Sequence, residues 1–82
     1  MEIVVGDLLT VEGEKYLTLD VLEHETKKYA FVNKVLNEED ITEDYCIFEI
    51  VDGGVIIVID EDLKNTLIPK FEESLQKKIK EL

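Results

Sequence analysis

Few side chains in this sequence are suited to nucleophilic or proton-transfer chemistry. Cys46, His24 and Ser74 are its single cysteine, histidine and serine. Nucleophilic catalysis needs a nucleophile, a base and an orienting group gathered in one place. Cys46 lies inside Tyr45-Cys46-Ile47-Phe48, an apolar extended pattern where a thiol acts as a small hydrophobe. His24 stands between Glu23 and Glu25 at the end of a strand pattern, which is a solvated turn position. Ser74 follows Glu73 on a helical stretch with nothing to activate it. One histidine and one cysteine are too few for a structural zinc site within one chain. The residues therefore predict a non-enzymatic protein, with no catalytic, cofactor-binding or metal-ligating residue and no cofactor.

Carboxylates are the plentiful group, and they concentrate in Asn37-Glu38-Glu39-Asp40-Ile41-Thr42-Glu43-Asp44, five in eight residues. Neither this segment nor Asp60-Glu61-Asp62 has the alternating oxygen ligands and central glycine of a calcium loop. Gly53-Gly54 precedes a strand pattern, so it reads as a turn and not as a phosphate cradle. The acidic segment is either a solvated connection or a docking surface. Long loops in small domains are often functional. Glu38, Glu39, Asp40, Glu43 and Asp44, with Ile41 as an apolar anchor among them, are thus the candidate partner-binding residues.

Charge narrows the partner. Twenty acidic residues face nine lysines and no arginine, a formal net charge of −11. Such a surface repels phosphate backbones and anionic lipid, which argues against direct nucleic-acid or membrane binding. Without arginine the bidentate phosphate clamp is also missing. The acidity reads either as solubility or as a surface offered to a basic protein. The longest apolar run, residues 55–59, is far short of the ~20 residues of a membrane span. Met1-Glu2-Ile3 lacks the start of a signal peptide, and a single free thiol suits a reducing compartment. The expectation is a cytoplasmic protein.

Eighty-two residues make one domain. Val55-Ile56-Ile57-Val58-Ile59 is β-branched throughout, so it reads as a central strand covered on both faces. Before it, strand patterns run over about residues 3–11, with a bend at Gly6-Asp7, then 16–23, 28–36 and 45–51. In the second, Leu17, Leu19 and Val21 share one face and Thr18 and Asp20 the other. Asp52-Gly53 predicts a type I′ hairpin turn into the strand at 55–60. From there the apolar period becomes helical: Leu67 or Ile68, Phe71, Leu75, Ile79 and Leu82. Pro69 belongs in a first turn, so the helix is placed at about 67–81, with residues 61–64 a separate piece. Short connections favour antiparallel neighbours. The fold class is α+β: an antiparallel meander of about five strands with one C-terminal helix on one face. One helix cannot cover such a sheet, so either the sheet curls or another chain meets its second face.

The acidic early strands, the pair Tyr45-Cys46-Ile47-Phe48-Glu49-Ile50-Val51 and Val55-Ile56-Ile57-Val58-Ile59, the acidic turn and the closing Phe71-Glu72-Glu73-Ser74-Leu75 resemble the YrzB-like family of small acidic bacterial proteins. The resemblance spans about residues 7–82 and is carried by pattern and charge. It implies the same fold, and since that family is of unknown function it implies no catalytic residue. Taken together, the residues predict a small acidic module that presents carboxylates to a basic protein partner. A pointed version is an inhibitor that imitates nucleic-acid charge. The rival is a homo-oligomer, such as a dimer, joined through the sheet face or edge.

Overall fold

The computed structural model describes residues 3–36 and 41–80. Five strands, β1 (Leu8–Val11), β2 (Glu14–His24), β3 (Lys27–Val35), β4 (Ile41–Val51) and β5 (Gly54–Ile57), precede one helix, α1 (Glu61–Lys80). The sheet is antiparallel throughout and its spatial order is the chain order. The α+β meander with a single C-terminal helix is therefore as expected. The middle of the sheet is not. β3 is central, and β5, expected there, is an edge strand with Ile56 and Ile57 at 55% and 50% exposure.

Each face of the sheet has its own core. On the helix face, Tyr29 and Ile47 pack with Val58, Leu67 and Phe71, and Leu22, Phe31 and Leu63 surround them. On the other face, Ala30, Val32 and Phe48 are buried although no helix covers them. Their cover is the sheet itself. Tyr16 of β2 and Phe48 of β4 flank β3, yet their rings meet edge to face at 5.0 Å. Two strand spacings in a flat sheet come to about 9.6 Å. The contact requires the sheet to curl, with this face inside.

A β-bulge at Leu19 sets which residues go to which core. Thr18 pairs with Val32 and Asp20 with Phe31, so β2 advances two residues while β3 advances one. The insertion reverses the alternation. Val21 joins the concave core and Leu22 the helix-face core, whereas strict alternation would have kept Val21 with Leu17 and Leu19. β3 and β4 alternate over the same stretch: Ala30 and Val32 lie opposite in sense to Tyr29 and Phe31, and Cys46, Phe48 and Ile50 share the concave face.

The helix begins six residues earlier than its apolar stripe suggested. Asp60, expected in the last strand, is its N-cap: Oδ1 accepts from the Asp62 amide at 2.9 Å and from that of Leu63 at 3.3 Å. Glu61 and Asp62 then place negative charge at the positive end of the dipole. Residues 61–64 are thus the first turn of α1 and not a separate piece. Pro69 sits mid-helix, where it leaves the Asn65 carbonyl without its helical donor. Both residues are exposed, so water can take that carbonyl. Between them Leu67, and beyond them Phe71, are fully buried; Ile68 points outward. Burial of Leu67 and Phe71, about 1.5–3 kcal/mol each, is what holds the proline in place.

The hairpins also depart from expectation. Among residues 52 and 53 only Gly53 has positive φ, so this turn is not type I′. The type I′ signature appears instead at Glu12 (φ 51) with Gly13 (φ 80), and at Glu25 (φ 49) with Thr26 (φ 70). The first strand pattern breaks at Gly6 (φ 96), where Asp7 Oδ2 accepts from the Val4 amide at 3.0 Å; β1 proper starts at Leu8.

Two stability outcomes are expected. Pro69→Ala restores a helical hydrogen bond and should raise stability by about 1–3 kcal/mol, seen as a higher Tm; a lower Tm would contradict the account of the helix. At the β2–β3 turn, a β-branched Thr26 in the left-handed region is strained. The pair Glu25→Asn and Thr26→Gly should stabilise by about 1–2 kcal/mol in denaturant unfolding, with an unchanged m-value.

Candidate interaction surface

The candidate partner-binding residues divide. Glu38, Glu39 and Asp40 lie outside the described residues. Ile41, Glu43 and Asp44 were expected in an eight-residue loop, but they belong to β4, which starts at Ile41 opposite Val35. Carboxylates have low strand propensity, and pairing with β3 overrides it here. A register shift between Asn33 and Val35 accommodates that pairing.

The reactive side chains are not brought together. His24 pairs with Lys27 and Cys46 with Val32, so they stand five positions apart along β3, about 17 Å. His24 Nε2 is 3.9 Å from Glu25 Oε2, and Cys46 is half-buried in the concave core. Ser74 is half-buried on α1. Among the described residues no group of three or more His, Cys, Asp or Glu side chains is arranged to hold a metal ion. No described helix is long and apolar enough to cross a membrane. Several carboxylates are occupied at the surface: Glu49 with Lys27 at 3.5 Å, Glu14 with Lys34 at 3.4 Å and Glu61 with Lys64 at 3.8 Å. Pairs this exposed contribute at most about 1 kcal/mol.

What the sequence reading did not find is an apolar strip. Ile56, Ile57 and Ile59 (76% exposed) run along β5 and its exit, beside Tyr45 (56%) and Ile68. Ile57, Tyr45 and Ile68, with Lys64, border a groove of about 270 Å³ that is floored by Phe31, Ile47 and Val58. Phe31 is held there by stacking on Tyr45 at 5.4 Å and on Phe71 at 5.2 Å, so the floor is fixed to both the sheet and the helix. Acidic side chains border the strip: exposed Asp60, Glu61 and Asp62 at the start of α1, and Asp52 at the β4–β5 turn. The strip was legible as the run of residues 55–59, but its composition suggested burial.

A second feature adjoins it. A cleft of about 520 Å³ is lined by residues 8–12 on one side and 53–55 on the other, with buried Ile3 also in its wall. A further hollow of about 480 Å³ continues it, lined by residues 11 and 12 and by residues 55–57. Consecutive strand residues point to opposite faces. A cleft that touches all of them runs along an edge. The curled sheet therefore brings its two edge strands, β1 and β5, to face each other across a gap.

The exposed isoleucines contribute little to the fold. Ile56→Thr with Ile59→Thr should leave stability within about ±0.5 kcal/mol of the native chain in urea unfolding; a loss above about 2 kcal/mol would place them in the core. Compared with family models, with curated proteins and with solved structures, this chain matches none.

Proposed function

We propose that this protein is a non-enzymatic binding module that docks a protein partner through β5, with apolar contacts at the centre and carboxylates at the rim. The observation that carries the reading is an edge strand with isoleucine exposed on both of its faces, Ile56 and Ile57, followed by exposed Ile59, with Asp52 before it and Asp60, Glu61 and Asp62 after it. A strand edge offers unpaired backbone groups, and natural proteins normally blunt such edges with charge or proline. Here the edge carries isoleucine, and the charge stands at its ends. The complementary partner is apolar at the centre and rich in lysine or arginine around it. A purely charge-based nucleic-acid mimic has no use for the isoleucines, so the mimic is the less favoured version.

Self-association through the same edge meets an electrostatic obstacle. Antiparallel pairing of two β5 strands centred on Ile56 would set Asp52 of each copy opposite Asp60 of the other. A shift of one position brings Glu61 or Val51 into that place and leaves the acidic ends adjacent. Like charges directly opposite destabilise a strand pair, and a net charge of −11 on each copy adds long-range repulsion.

The test is capture from host lysate by three immobilised forms: the native chain, Ile57→Glu with Ile59→Glu, and Asp60→Asn with Glu61→Gln and Asp62→Asn. Asparagine keeps the helix cap in the last form. A partner bound by the native chain should be lost with the first variant. With the second it should bind several-fold more weakly, and its release should need less salt. Equal capture by all three forms would overturn the reading. Absence of any partner, with a dimer by light scattering, would favour the homo-oligomer.

A further inference from the structure

We infer that the partner contributes an extended segment that inserts between β5 and β1 as a sixth strand, hydrogen-bonded on both sides, and closes the curled sheet into a barrel. This rests on the reading of β5 as the docking edge and adds a second edge to it.

The hydrogen-bond register shows what each edge offers. On β5 the Val58 amide donates to the Ile47 carbonyl at 2.9 Å. Antiparallel pairs alternate between bonded and non-bonded. Counting back from Val58 and Ile47, Ile56–Glu49 and Gly54–Val51 are bonded pairs, whereas Ile57–Phe48 and Val55–Ile50 are not. The N–H and C=O groups of Val55 and Ile57 therefore point away from β4. On β1 the Thr18 amide donates to the Asp7 carbonyl at 2.9 Å, which makes Leu9–Tyr16 and Val11–Glu14 the bonded pairs. The groups of Leu8 and Thr10 point away from β2. Both outward sets belong to residues that line the gap. No other backbone hydrogen bond outside the helix and ladders reaches them among the described residues.

Two facing rows of donors and acceptors call for a polypeptide backbone; a compact organic ligand would leave most of them unpaired. The side chains beside the gap set the segment's composition. Tyr16, Phe48, Val55 and Val11 present apolar surface toward the concave side. Exposed Glu12 lines both parts of the gap, Glu14 stands at its end, and Asp52 is exposed on the neighbouring turn. Apolar residues at alternate positions, with lysine or arginine between them, fit this arrangement. A second copy of this chain does not, because its own extended strands β1 and β5 are flanked by Asp7 and Glu12, or by Asp52 and Asp60.

The probe is a short capped peptide of alternating valine and lysine, compared with alternating valine and glutamate and with a valine–lysine peptide N-methylated at every second residue. Amide hydrogen exchange reads where it binds. The valine–lysine peptide should slow exchange at least tenfold at Leu8 and Thr10 and also at Val55 and Ile57. The N-methylated peptide should bind at least tenfold more weakly, and the glutamate peptide should not bind. Thr10→Pro removes one outward N–H at an edge position that tolerates proline, so the β1–β2 ladder survives and affinity should fall about tenfold. Protection at Val55 and Ile57 alone would overturn insertion while leaving β5 as the docking edge. No binding by the valine–lysine peptide at millimolar concentration, or binding indifferent to N-methylation, would overturn insertion as well. The docking reading itself stands or falls on the lysate capture.

Discussion

A five-stranded sheet with one helix has two apolar faces and one cover, and this imbalance governs the structure. The helix face is closed by Leu67 and Phe71. The other face holds Ala30 and Val32 at 0% exposure, and only curvature can bury them. The Leu19 bulge adds local twist within β2, and the Tyr16–Phe48 contact spans the concave face. Curling has a geometric consequence. It carries β1 and β5 toward each other without closing them, so the device that hides one apolar face creates the edge-lined gap.

The functional reading follows from which apolar side chains are left over. Phe31, stacked between Tyr45 and Phe71, finishes the helix-face core and also floors the groove that opens beside β5. The same residue thus links the stability of the scaffold to the shape of its exposed surface. Ile56, Ile57 and Ile59 lie just beyond the reach of that core. Exposed acidic residues stand at both ends of this segment, at Asp52 and at Asp60–Asp62, which favours a partner of opposite charge there.

Much of the fold was legible in local pattern. Strand patterns located β3 and β4, and the change of period after Asp60 located the helix. The errors share a cause: local pattern does not report tertiary context. An all-β-branched run suggests cover on both sides, yet a five-strand meander puts its last strand at an edge whatever its composition. Pro69 suggested a helix start, but the Asp60 cap and the series of half-buried Leu63 and buried Leu67 and Phe71 outweigh it. The bulge at Leu19 has no signature in sequence, because Leu17, Leu19 and Val21 keep an unbroken alternation with Thr18 and Asp20 across it. Of the candidate site, the acidic residues were visible as composition. The strip and the gap appear only once strands are placed side by side.

The coincidence of strand order with chain order also bears on how the protein is made. Every ladder joins strands adjacent in sequence, through turns of two residues at three of the four connections. The loops to be closed are short, the entropy lost in closing them is small, and topology of this kind favours rapid folding. As the chain leaves the ribosome, each hairpin can pair with the one already formed, before the helix exists. The helix comes last and must reach back to Leu22 to complete its core. Until it docks, Tyr29, Phe31 and Ile47 stand uncovered, and a nascent chain stalled before residue 61 would display them to whatever is nearby.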